Sequence, residues 1–181
     1  MKTITKVTLW VMGIFVFSIV YTLTAQAQST PKLTDPQIAS VAVTANQIDI
    51  NYAEIALKKS KNKEVVQFAQ TMKNDHKAVI DMCVKLATKL GVTPETNAIT
   101  KSLLAGEKKV TKSLKSAKAG SAFDKAYINN EVAYHEAVIN TVETVLIPQS
   151  HNSELKGLLV KVLPSLKTHL EHAKMAQKSL H

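Results

Sequence analysis

Four long stretches of this chain place an apolar residue every three or four positions, the spacing of one buried face of an α-helix. The first seam runs Ile38, Val41, Ala45, Ile48, Tyr52, Ile55, and the second Val65, Ala69, Met72, His76, Val79, Cys83, Leu86, Leu90. The third reads Ile128, Glu131, His135, Val138, Val142, Val145, and the fourth Leu155, Leu159, Val162, Leu166, His169, Ala173, Ala176, Leu180. Alternating strand patterns are absent, and only five glycines and five prolines punctuate the 181 residues. Narrow apolar stripes on long helices are buried by packing against one another, so the expected architecture is an all-α bundle.

Local signals set the boundaries. Asp35-Pro36 reads as a cap followed by proline at the first helical position, and this helix ends near Ser60. Asn62 caps the second helix, which stops at Gly91. Residues 98–118 form a weaker amphipathic stretch (Ile99, Leu103, Val110, Leu114) interrupted by Gly106, expected as one or two short helices. The third long helix follows Gly120, with Ser121 and Asp124 spaced as in a capping box, and is closed by Pro148. The fourth begins near Ser153 and carries Pro164 inside it, where a local kink or bulge is expected. Short links join helices one to two and three to four, and a crossover of about 30 residues joins the pairs. Two antiparallel hairpins with a long helical crossover describe a ferritin-like four-helix bundle.

Three of the seams are broken by a histidine near mid-helix: His76, His135 and His169. Positions equally far from a hairpin turn lie at equal height, which brings Asp49, at the border of the first stripe, near His76. His135 and His169 lie about 15 and 19 residues from their turn, a mismatch of roughly 6 Å. Glu131 stands one turn before His135 on the same face. A buried imidazole needs partners for both nitrogens. The five side chains either satisfy one another as a polar layer that sets the helix register, or surround one divalent transition metal such as iron, zinc, copper or manganese. A di-iron oxidase centre asks for Glu-x-x-His on two helices. Helix two offers Asp75-His76 instead, and Leu166 stands three residues before His169. The set suits a mononuclear site, or none, and no enzymatic activity is assigned.

The first 27 residues read apart from the bundle. MKTITK carries two lysines, an uncharged apolar run continues to Leu23, and Ala25 and Ala27 fit the small-x-small cleavage pattern of a secretory signal peptide. The alternative is an uncleaved anchor holding the chain in a membrane; Val7–Leu23 is at the short end for a span of about 20 residues, and cleavage is favoured because the small residues stand where the peptidase needs them. Residues 28–35 form a short linker and 36–181 the bundle domain, expected in the periplasm or cell envelope of a bacterium. All 23 basic residues are lysines; two lie in the leader, leaving 21 against 14 acids, a net of +7. That balance favours an anionic lipid or polysaccharide surface. A nucleic-acid partner is set aside, since specific base reading leans on Arg and export removes the ligand. The six lysines at 101, 108, 109, 112, 115 and 118 read as a solvated face.

Other candidates carry little chemistry. Cys83 cannot form an intrachain disulfide, being the only cysteine, and lies two turns from His76, about 10 Å away, so it reads as a core thiol. His169 and His172 read as one core and one rim residue, and Tyr52, Tyr127 and Tyr134 as core rings with hydroxyls at the edge. There is no Ser-His-Asp order worth arguing, no glycine-rich phosphate loop and no cysteine pair for zinc.

Three ordered motifs carry a resemblance: Val65, Phe68, Ala69, Met72, Asp75, His76; then Phe123, Asp124, Tyr127, Val132, His135; then Leu163, Pro164, Leu166, His169, Leu170. Over residues 36–178 the chain resembles the domain-of-unknown-function family 4142, uncharacterised bacterial proteins labelled exported or outer-membrane and placed among ferritin-like bundles. The resemblance implies the fold and the three histidines, and no established reaction. The family's acid in the first helix is usually Glu before Ile; here Asp49-Ile50 stands in its place, one carbon shorter. Glu131 is not a fixed feature of the pattern. Two functions follow as expectations: a metal- or small-ligand-binding bundle in envelope stress or metal handling, or a non-catalytic envelope protein with a structural polar layer and a basic face. The oligomeric state is left open.

Overall fold

The computed structural model describes residues 32–180. The leader expected at 1–27, and residues 28–31 of the linker, lie outside them. The elements are α1 (Asp35–Lys59), α2 (Lys63–Leu90), α3 (Ala98–Ser116), α4 (Ser121–Thr141), a π-helical segment (Val142–Leu146), a last turn α5 (Ile147–Gln149) and α6 (Ser153–Ser179). Among the described residues there is no strand, and no helix is long and apolar enough to cross a membrane.

Side-chain contacts give the helix directions. Asn97 Nδ2 donates to the Gln37 carbonyl at the start of α1, and Lys59 at its end donates to the Leu114 and Lys115 carbonyls. α3 therefore runs parallel to α1 and carries the chain back along the bundle. The Gln149 side chain accepts from Leu33 N, while Asp35 accepts from His151 N and Asn152 N, so α4 descends beside α1 and α6 rises again. The result is two antiparallel hairpins joined by one long crossover helix.

Several boundaries differ from the sequence reading. Thr34, not Asp35, caps α1, in a capping box with Gln37; Asp35 instead ties down the α5–α6 loop. Residues 98–116 form one helix that absorbs Gly106, because Leu114 is buried and Asn51 holds Glu107 at 2.7 Å. At α4 the cap is Gly120, with φ 90°, and no side chain bonds there. Asp124 is buried in place of the capping role expected of it. α6 passes through Pro164 as a single helix, with the proline and Val160 on the exposed face. The freed Val160 carbonyl therefore does not interrupt the core.

The π segment corrects the third seam. Val142 is buried as expected, but the extra residue in the turn brings Leu146 into the core and leaves Val145 only partly buried. The helix also continues to Gln149, leaving 150–152 as the turn. His135 then lies 14 residues before Gln149 and His169 16 after Ser153. The axial mismatch shrinks to about 3 Å, within reach of two side chains.

The core is divided in two. One apolar cluster gathers Tyr52, Phe68, Met72, Phe123, Tyr127 and Ala173; the other gathers Ile38, Val41, Cys83, Val142, Leu159 and Leu166. On α2, α4 and α6 the histidine singled out above falls between the two, and on α1 Asp49 stands beside Ile48 at the near end of the first cluster.

Candidate metal centre

Asp49 comes from α1, His76 from α2, Glu131 and His135 from α4, and His169 from α6; each is at most 5 % exposed. The three imidazole rings form a near-equilateral triangle, with centroids 5.2 Å (His76–His169), 5.6 Å (His76–His135) and 5.6 Å (His135–His169) apart. One ring nitrogen from each histidine lies within 4.8 Å of the other two, and the same holds for one ligand atom each of Asp49, Glu131 and His135. All five expected residues thus meet. Cys83 and His172 do not join them: Cys83 lies in the apolar cluster and His172 on the exposed face.

Each histidine is held by one nitrogen and leaves the other without a hydrogen bond. His76 Nδ1 stands 2.7 Å from Asn46 Oδ1, and His135 Nδ1 2.9 Å from the Glu131 carbonyl. His169 Nε2 stands 2.9 Å from Asp75 Oδ2. Since each partner is an acceptor, each of these nitrogens carries the proton. His76 Nε2, His135 Nε2 and His169 Nδ1 are left as buried lone pairs with no hydrogen-bond partner. Ligating histidines are held in this way, their second nitrogen donating to a carbonyl or carboxylate that sets tautomer and ring orientation.

The remaining separations are not hydrogen bonds. Asp49 Oδ2 lies 3.4 Å from His76 Nε2 and 3.6 Å from His135 Nε2. Glu131 Oε2 lies 3.7 Å from His135 Nδ1, which already donates to a carbonyl. A hydrogen bond of this kind would close to about 2.7–3.2 Å. Ligands placed about 2.0–2.2 Å from a tetrahedral ion stand about 3.3–3.6 Å from one another. The two Asp49 distances match edges of that tetrahedron. The pocket lined by Asp49, His76 and His135 measures about 10 Å³, close to a single water-sized sphere. All four carboxylate oxygens of Asp49 and Glu131 lack a hydrogen-bond partner. Most separations in the layer are longer than hydrogen bonds, and the spacing of Asp49, His76 and His135 is compatible with a metal ion.

Burial sets the protonation of these groups. Removal from water pushes the Asp49 carboxyl up to about 8, and raises Glu131 well above the carboxylate range, with the neighbouring Asp49 adding to it. It lowers His135 to about 4 and His76 well below its ordinary value; for His169 burial also wins, against the opposing pull of Asp75. Near neutral pH the metal-free layer carries neutral imidazoles and protonated carboxyls, avoiding an uncompensated charge in the core.

Asn46 and the carbonyl of Glu131 escaped the sequence reading. Asn46 is three residues before Asp49, an ordinary helical spacing, but polar residues on helix borders are too common for that to be a signal. Asp75 was visible only as the residue beside His76; its bond is to His169, 94 residues away. Tyr52 and Tyr127 are buried, while Tyr134 is half-buried and ties its hydroxyl to the Ala45 carbonyl at 2.8 Å.

Fold and site together define an all-α bundle whose apolar core is cut by a buried layer of three histidines and two carboxyls. The chain belongs to the family described as Domain of unknown function (DUF4142), which matches residues 21–176. No curated protein matches it. Among solved structures it is similar to a chain titled "CopM in the Cu(II)-bound form", with a TM-score of 0.62 at 15% identity, over 83% of this chain and 100% of that one. At that identity the likeness is one of fold.

Proposed function

We propose that this protein is an exported metal-binding bundle. It holds one divalent transition metal on His76, His135 and His169, with Asp49 as the fourth ligand and Glu131 behind it. The observation that supports this reading is the pairing of each histidine with one acceptor, which leaves three buried lone pairs without a hydrogen-bond partner. Imidazole nitrogen with one carboxylate suits zinc, copper, iron or manganese. The structural neighbour titled as Cu(II)-bound adds a reason to include copper early in the titration. Export to the periplasm or envelope rests on the three-part leader at residues 1–27.

Metal content tests the reading. The protein purified from its native compartment without tag or chelator is expected to carry about one equivalent of metal, as four protein ligands close a single site. Absence of metal, together with no binding of iron, zinc, copper or manganese in titration, overturns it.

A second reading is supported by α3. Its lysines at 101, 108, 109, 112 and 115, with Lys118 just beyond, are all exposed, and none forms an ion pair among the described residues. This face would contact an anionic lipid or polysaccharide surface. Vesicles containing phosphatidylglycerol are expected to retain the protein at low ionic strength and release it as salt rises through about 0.1 M, where the screening length falls to about 10 Å. Retention unchanged after replacing Lys108, Lys109 and Lys112 by Gln would remove α3 from the contact.

A further inference from the structure

The bundle contains an apolar cavity of about 140 Å³ directly beside the histidine layer. Its walls come from five helices and the π segment, with Val41, Val79, Leu103, Val142, Leu159 and Val162 among them. Ala45, Asn46, Tyr134, Val138 and Leu166 line both this cavity and the small pocket of Asp49, His76 and His135. The two spaces are neighbours across one wall.

The polar groups in that wall are already engaged. Asn46 donates to the Ala42 carbonyl at 2.8 Å and accepts from His76 at 2.7 Å. Tyr134 donates to the Ala45 carbonyl, and Thr141 to the Ala137 carbonyl at 2.9 Å. Burial pushes the Cys83 thiol up to about 11, so it stays a weak, neutral donor. A water molecule needs two to four polar partners, and an apolar cavity of about 150 Å³ stays dry and takes up benzene or xenon. Native cores rarely leave such a void, because unfilled volume costs stability. The π segment lies on this wall, with Val142 and Leu146 turned into it, and π turns inside α-helices are frequent at functional sites.

We propose that this cavity is a binding site for a small, uncharged, apolar molecule, of about the size of benzene or less, held against the wall it shares with the histidine layer. The site's existence does not rest on the metal reading; only its use beside a metal does.

The test is made on metal-free protein in chelator, so failure to bind metal and failure of the cavity are read separately. Benzene titration and xenon pressurisation are followed by methyl NMR shifts. The expected result is saturable shifts of the Val138, Leu159 and Val162 methyls, with a rise in Tm in benzene. Ala42→Leu, which adds three carbons to the wall away from the histidines, is expected to keep the fold and Tm and to lose the saturable shifts; Val162→Phe is expected to do the same. Absence of saturable shifts in the parent protein overturns the proposal. So do shifts that persist unchanged in both filling variants. Collapse of the fold in both variants also overturns it, because it would show a wall with no room to fill.

Discussion

Saturating metal is expected to raise the melting temperature of the metal-free protein by about 10 °C, and the His76→Ala/His169→Ala variant is expected to show no such rise. A ligand that binds only the folded state, at about a thousand times its dissociation constant, stabilises it by about 4 kcal/mol. In a domain of this size each kcal/mol moves Tm by about 2–4 °C. The effect is specific to the folded chain because the ligands are far apart in sequence, at positions 49, 76, 135 and 169, and unfolding disperses them. The double variant removes two of three imidazoles from a triangle whose sides are 5.2–5.6 Å. Circular dichroism of the variant separates lost binding from lost folding, and the His76→Gln/His169→Gln pair, which keeps polar groups of similar bulk, repeats the test if the alanine pair unfolds. A Tm indifferent to iron, zinc, copper and manganese would return the layer to a purely architectural role.

Metal affinity is expected to weaken about tenfold for each pH unit between about 8 and 6, with one proton released per ion bound. The sign follows from the direction of each shift. Burial raises Asp49 to about 8, so below that pH the metal must displace its proton. The histidines are shifted the other way, His135 to about 4. His76 and His135 are already neutral in this window and release no proton. Three histidines of ordinary pKa would instead steepen the loss below about 6.5. Calorimetry in buffers of different ionisation enthalpy counts the protons directly. A slope near zero would exclude Asp49 as a ligand. A slope near two would bring Glu131 into the coordination shell beside it, and Glu131→Gln would then return the slope to one.

Much of this protein is written in local pattern. Apolar residues at three- and four-residue spacing, the Asn62 cap, the Gly91 stop and the short links around residues 61 and 151 are enough to derive two helical hairpins, because helix period and capping are properties of near neighbours. The interruptions of those seams by His76, His135 and His169 are equally local, and hairpin geometry brings them near one layer, with the remaining mismatch of His135 and His169 closed by the longer α4 end. Where the reading of caps went astray, a distant partner had claimed the side chain. Asp35 accepts from the α5–α6 loop more than 100 residues away, and Asp124 is drawn into the core.

The sequence by itself determined an all-α bundle, its hairpin pairing and the five side chains that meet inside it. Tertiary structure alone decided what those side chains face. The end of α4 passes through a π segment that brings Leu146 inward in place of Val145, and Val142 and Leu146 line the apolar cavity beside the layer. Asn46, the Glu131 carbonyl and Asp75 each take one histidine nitrogen and leave the other bare. Depth of burial then holds the imidazoles neutral and keeps protons on the carboxyls. These depend on distances between helices, and a spacing along one chain carries no information about which lone pair a neighbouring helix leaves unpartnered.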